Sequence, residues 1–226
     1  MMFDVAMPEE NFVWYNYTGE SEMCFGVTLS KFHEIVKNIK KKDTLAFSIY
    51  ADRQEILEVK VIPSSRTRVS ISTILIRKMQ FVENELPELD TSVRAVIMSS
   101  EYQKMCKEIL KMSDVVNVRT KPGYIRFSCN CDNLVYKAVE FGAEDYEDAG
   151  DDDSEEIDEV NVDFNTEQFS RITKIANLGQ QIQIYTGELI KMVTNIESIG
   201  SLTVFVKSSS HIAQDEENNR TSSSVE

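Results

Sequence analysis

Val27-Thr28-Leu29-Ser30-Lys31-Phe32-His33-Glu34-Ile35-Val36-Lys37 can be laid without a gap against Phe164-Asn165-Thr166-Glu167-Gln168-Phe169-Ser170-Arg171-Ile172-Thr173-Lys174. Phe32, Ile35 and Lys37 then meet Phe169, Ile172 and Lys174, and the register runs on, with Leu45 and Phe47 opposite Ile182 and Ile184. Strand, helix and strand are matched as one unit, so the chain reads as two copies of one domain.

Around this repeat the sequence is a series of short β patterns. Phe12–Tyr17, Glu22–Val27, Thr44–Tyr50, Ile56–Ile62 and Val69–Ile76 are rich in β-branched and aromatic residues and are broken by Gly, Pro, Asp or Ser. Val93–Met98, Val115–Thr120, Tyr124–Cys129, Leu134–Phe141, Val160–Phe164, Ile182–Tyr185, Leu189–Ile196 and Leu202–Lys207 read the same way. Many strands with few helices predict an α+β fold of antiparallel sheets.

Each of the three helical patterns is two-faced. Leu29, Phe32, Ile35, Val36 and Ile39 recur at helical spacing, with Lys37 and Lys41 on the opposite side. Ser99 reads as an N-cap before the stripe Tyr102, Met105, Cys106, Ile109 and Leu110, while Lys104, Lys107 and Lys111 fall together on the other face. Asn165 with Gln168 has the capping-box pattern, Phe169 and Ile172 face inward, and Arg171 and Lys174 face out.

Net charge is −14, which by itself disfavours a polyanionic partner. Its distribution says more. Much of the acid lies in Glu144–Glu156, which has almost nothing to bury and reads as a solvated loop, and basic side chains gather on the helices, creating local fields that the sum conceals. The polar stretch from Ser208 to Glu226 lacks apolar periodicity and reads as a disordered tail. No apolar run approaches the roughly 20 residues that cross a bilayer, and the acidic start is unlike a signal peptide, so no membrane partner is expected. Cys24, Cys106, Cys129 and Cys131 have no metal-ligand spacing and read as reduced thiols. His33 and His211 lack catalytic companions, and Asp151-Asp152-Asp153 cannot converge on one ion, so neither an enzyme nor a metal or other cofactor is expected.

At this point the residues resemble a known family, the DNA sliding clamps of the eukaryotic, proliferating cell nuclear antigen type. Met23–Leu29 followed by Asp43-Thr44-Leu45 resembles the clamp's strand, central helix and next strand. Glu101–Glu108 is similar to the first helix of its second domain, Val82–Glu88 to its interdomain connector, and Ser198–Lys207 to its last hairpin and strand. The resemblance covers Phe12 to Lys207, and it implies that the first two strands and first helix of the first domain have no counterpart here.

The resemblance implies two repeated clamp domains, the first incomplete: residues 1–76, a connecting loop 77–90, a second domain 91–207 with the acidic loop 143–159 inserted, and the tail 208–226. It also implies a non-catalytic processivity factor, a homotrimeric ring encircling double-stranded DNA without regard to sequence. DNA polymerase, other proteins bearing clamp-binding peptides and a clamp loader would be its partners, in the nucleus or at a cytoplasmic replication site. A subunit of a hetero-oligomeric checkpoint-type clamp and a clamp-derived interaction scaffold are the alternatives. DNA contacts map onto Lys37, Lys41, Lys104, Lys107, Lys111, Arg171 and Lys174. The partner-peptide pocket maps onto Phe81, Leu86, Pro87, Leu189 and Phe205. The subunit interface maps onto two strands taken as edges, Ile56–Ile62 with Leu57, Glu58, Val59 and Val61, and Asp114–Thr120 with Val116, Val118 and Arg119.

Overall fold

The computed structural model describes residues 1–19, 22–65, 68–80, 95–121, 123–132, 134–142, 159–187 and 189–214. It divides into two compact units, one of Met1–Tyr15 with Leu86–Glu226 and the other of Asn16–Glu85. The fold is α+β with antiparallel sheets, as the strand-rich pattern predicts.

In the larger unit, β1 (Met2–Ala6) joins β7 (Ala95–Met98), β12 (Gln181–Thr186), β13 (Leu189–Ile196) and β14 (Gly200–Lys207) in a five-stranded sheet of order β1-β14-β13-β12-β7. A four-stranded sheet has the order β10-β9-β8-β11, from β8 (Val115–Lys121), β9 (Tyr124–Cys131), β10 (Val135–Phe141) and β11 (Val160–Asn165). Helices α2 (Ser99–Ile109) and α3 (Thr166–Ile172), the latter running into a 3-10 turn over Thr173–Asn177, pack in the same unit.

Alternation along the strands decides what is buried. Ile182, Ile184, Met192, Leu202, Val204 and Val206 from the first sheet and Val116, Val118, Ile125 and Phe127 from the second form one core with Tyr102, Met105, Cys106 and Ile109 of α2 and Phe169 and Ile172 of α3. Phe169 is the joint, meeting Phe127 at 6.1 Å and Phe164 at 5.8 Å between ring centroids, both edge-on. The Thr120 and Thr186 hydroxyls, buried in this apolar setting, satisfy each other at 2.7 Å.

The smaller unit repeats the pattern on a reduced scale. It holds β2 (Phe25–Gly26), α1 (Leu29–Val36), then the meander β3 (Thr44–Tyr50), β4 (Arg53–Ile62) and β5 (Ser70–Leu75), and β6 (Arg77–Lys78), which pairs with β2. The order β2-α1-β3-β4-β5 reproduces β11-α3-β12-β13-β14. Leu29 and Thr166, set opposite each other by the sequence repeat, each begin their helix. The buried cluster is small: Leu57, Val59, Ile74 and Ile76, with Val27, Phe32, Ile35 and Ile49 packed against it. It does not reach the start of the helix, so Leu29, expected in the apolar stripe, stands 75% exposed.

Several expectations are corrected. Phe12–Tyr17 forms no strand; Pro8 in an extended conformation leads into a 3-10 turn at Glu9–Asn11, and the aromatic residues follow it as irregular chain. The boundary at residue 76 assigns Met1–Tyr15 to the first domain, yet β1 is laddered onto β14 from Met2↔Phe205 to Ala6↔Ser201 and so belongs with the larger unit. Arg77–Lys78, placed in the connector, is strand β6. Residues 209–214 are helical rather than a disordered tail, because the Ser208 hydroxyl accepts from the His211 N–H at 3.2 Å and caps the turn. Ser99 is the first helical residue, not the cap; Met98 holds that position with no side-chain bond. The acidic run and most of the connector, residues 81–90, lie outside the described residues.

The β1–β14 pairing depends on Gly200, where an added Cβ would collide with the Ala6 carbonyl oxygen. Gly200→Ala is therefore expected to detach β1 while sparing the main core. In hydrogen exchange, the amides of Phe3–Ala6 should lose protection and those of β12 and β13 should keep it.

Candidate nucleic-acid interface

A helix that buries one stripe must present the other, and here the presented side is basic. In α2 the core takes Tyr102, Met105, Cys106 and Ile109, which leaves Lys104 and Lys107 exposed, with Lys111 exposed just beyond the helix. In α3 the burial of Phe169 and Ile172 turns Arg171 outward, and Lys174 is exposed in the following 3-10 turn. That turn packs alongside α2, so these cations sit on neighbouring elements of one unit. The Asn165 side chain accepts from the Glu167 N–H at 2.8 Å and caps α3. The reciprocal half of the capping box is not made, since Gln168 Oε1 is buried without a partner.

The smaller unit carries its own basic surface. Lys37 follows the last turn of α1, and Lys41 is exposed in the turn before β3. Lys40 and Lys42, which the sequence reading passed over, are exposed beside it. The signal was the run Lys40-Lys41-Lys42 itself, overlooked because it falls after the amphipathic pattern ends. Asp43 closes this turn, accepting from the Lys40 N–H at 3.0 Å and donating its own N–H to the Lys40 carbonyl at 2.9 Å.

Carboxylates temper three of the cations. Lys37 pairs with Glu34 at 2.5 Å, Lys104 with Glu101 at 2.7 Å and Arg171 with Glu167 at 2.5 Å, each within one helical turn. The hydrogen bond that Lys104 donates to Glu101, reinforced by the carboxylate's charge, raises the Lys104 ammonium above the ordinary lysine value and keeps it protonated. Lys41, Lys107, Lys111 and Lys174 carry no ion pair among the described residues. Such exposed pairs exchange readily for a phosphate partner, because each is worth little in water.

The other two mapped sites fare differently. Leu189 and Phe205 lie on the face of the five-stranded sheet opposite the core, diagonal to one another through the Lys191↔Phe205 and Leu189↔Lys207 pairs, and both are buried. Phe81, Leu86 and Pro87 lie outside the described residues. The strands mapped as subunit edges are not edges. β4 is central between β3 and β5, and β8 is central between β9 and β11. Leu57, Val59, Val116 and Val118 are buried in the cores, and Val61 is part-covered within its sheet. Glu58 lies within reach of Lys60 and the Tyr50 hydroxyl, and Arg119 makes a two-point contact with Glu159 at 2.6 and 3.1 Å. That contact holds the Glu159 carboxyl below the usual carboxylate range. The thiols are structural too; burial pushes Cys106 and Cys129 up, leaving both protonated and unreactive.

The antiparallel sheets, outward basic helices and internal repeat are those of a known family. A family model described as "Proliferating cell nuclear antigen, C-terminal domain" matches residues 85–209. The chain belongs to this family. Among curated relatives, the DNA polymerase sliding clamp of Cenarchaeum symbiosum is 21% identical over 127 residues, covering 56% of this chain and 48% of that one. The DNA polymerase sliding clamp of Archaeoglobus fulgidus is 24% identical over 188 residues, covering 82% and 70%. This chain thus spans about half the length of the first curated relatives it matches. A chain of the PCNA2–PCNA3 complex from Sulfolobus tokodaii shares the fold, with a TM-score of 0.68 at 18% identity over 92% of this chain and 80% of that one. The proliferating cell nuclear antigen match, residues 85–209, spans α2, β8–β14 and α3 and includes five of the seven mapped cations.

Removing the cap of α3 should loosen the mount of Arg171 and Lys174. Asn165→Ala is expected to cost about 1 kcal/mol. Urea unfolding should show a lower midpoint at unchanged slope.

Proposed function

We propose that this chain is a subunit of a DNA sliding clamp, a non-catalytic processivity factor that encircles duplex DNA and holds a polymerase to it. The observation that carries the reading is the charge separation. In a chain of net charge −14, α2 and α3 bury their apolar stripes, α1 half-buries Phe32, Ile35 and Val36, and all three present lysine or arginine outward. Long, flexible cations on rigid mounts meet phosphates without reading bases, giving contact that is independent of sequence and easily exchanged, as sliding requires. The names of the archaeal relatives, DNA polymerase sliding clamps, point the same way.

Assembly follows from the internal repeat. In chain order β1 precedes β2-α1-β3-β4-β5 as β10 precedes β11-α3-β12-β13-β14, so β1 is the counterpart of β10 and β5 the counterpart of β14. Because β1 pairs with β14 within the chain, the same relation pairs β10 of one copy with β5 of the next. Both are edge strands, and both expose apolar side chains that such pairing would cover: Ile71 and Leu75 on β5, Val135 and Tyr136 on β10. The contact is head-to-tail, which closes into a ring when its rotation permits, and a homotrimer is the proposed closure. The Sulfolobus structure is itself a complex of two clamp chains. Polymerase and other clamp-binding peptides would dock on the sheet face carrying Leu189 and Phe205, and a clamp loader would open the ring.

Two tests address the halves of this proposal. Lys104→Ala with Lys107→Ala and Lys111→Ala should leave the fold intact and weaken DNA binding, reducing the slope of log K against log salt by about 0.9 for each phosphate no longer neutralised. An unchanged slope would remove α2 from the interface. For assembly, light scattering should give a trimer for the parent and a monomer for Ile71→Lys with Tyr136→Lys, which sets like charges across the pairing. A well-folded parent that is monomeric at micromolar concentration would overturn the ring.

A further inference from the structure

The first fifteen residues of the larger unit expose an unusual amount of apolar surface. After the 3-10 turn at Glu9–Asn11, Phe12, Val13, Trp14 and Tyr15 follow consecutively, and none is buried; Trp14 is 75% exposed and Val13 wholly so. Four adjacent large apolar side chains in water are costly, and a patch of this kind on a folded protein marks a contact surface.

The segment is mounted, not loose. The Asn11 N–H donates to the Pro8 carbonyl and the Phe12 N–H to the Glu9 carbonyl, each at 3.0 Å, which closes the turn. The Asn11 side chain donates to the Ile199 carbonyl at 3.2 Å, anchoring the turn to the β13–β14 hairpin, and β1 is laddered to β14 immediately before it. Phe12 and Tyr15 brace each other at 5.7 Å between ring centroids. A ridge held this way loses little conformational freedom on binding.

Its charge indicates what binds. No lysine or arginine precedes Lys31, while Glu9 and Glu10 are exposed in the turn that leads into the ridge and Asp4 is exposed on β1. Aromatic faces next to carboxylates suit guanidinium and ammonium groups, which stack on the rings and pair with the acids. Phosphate is repelled by the same carboxylates, so bases stacking from a nucleic acid strand are disfavoured. A second copy would bring its own Asp4, Glu9 and Glu10 against these.

We propose that Phe12–Tyr15, flanked by Glu9 and Glu10, is a docking ridge for an arginine- or lysine-rich segment of another protein. The proposal does not depend on the clamp reading.

Trp14 is the only tryptophan in the chain, so its emission reports on this ridge directly. The full chain is titrated with octa-arginine and, in parallel, with octaglutamate and an eight-residue oligothymidylate. Octa-arginine should change Trp14 emission saturably, and Glu9→Gln with Glu10→Gln should weaken that binding about tenfold. Glu55→Gln, which removes an exposed carboxylate elsewhere, should leave it unchanged. The proposal is overturned if octa-arginine leaves the emission unaltered, or if the double variant binds no more weakly than Glu55→Gln. It is equally overturned if octaglutamate or the oligothymidylate produces the saturable change, or if raising the protein concentration alone does so, which would assign the ridge to a second copy.

Discussion

The burial of one stripe each of α2 and α3 against the antiparallel sheets of the larger unit is the constraint from which the rest follows. Phe169 is wholly buried between Phe127 and Phe164, and with Ile172 beside it the rotation of α3 about its axis is fixed. Arg171 and Lys174 have no direction left but outward. The same holds for α2, where Tyr102, Met105, Cys106 and Ile109 enter the core and the lysines between them do not. The basic surface is thus a by-product of core packing, which fixes the direction in which it faces.

The internal repeat extends this logic beyond single helices. One strand–helix–meander unit is built twice, but the two versions differ in support. In the larger unit β7 and α2 complete the sheet and the core; in the smaller, four side chains are buried and α1 has none fully covered. The smaller unit is therefore expected to be the less stable of the two, since stability tracks the apolar area removed from water. The ladder from β1 to β14 pairs an edge of the first repeat with an edge of the second, and in the proposed assembly β5 and β10 would pair in the same way between copies.

Most strands were legible because alternation of apolar and polar residues fixes both the element and its face. The helices were legible for the same reason, down to the seven cations, all exposed as read. Position within a sheet was not legible. Leu57, Val59, Val116 and Val118 are β-branched or apolar because their strands are central and covered, and that composition resembles an edge awaiting a partner. The run Phe12–Tyr17 has strand composition, yet its neighbours Pro8 and Asn11 tie the backbone into a turn that no ladder follows. Ser99 was misread as a cap because capping depends on backbone angles that a serine preference only suggests, and the helix starts one residue earlier than expected. Lys40 and Lys42 were missed, although Lys41 between them was read, because a basic turn has no periodicity to reveal it.

The proposed function is topological: DNA would be held by being enclosed, not by affinity at any one contact. The most direct measurement is the lifetime of the protein on a closed circular plasmid, at a salt concentration that abolishes point contacts, before and after a single cut that linearises the DNA. Enclosure predicts long retention on the circle and rapid loss from the ends once it is cut. Equal loss from circular and linear DNA would contradict it.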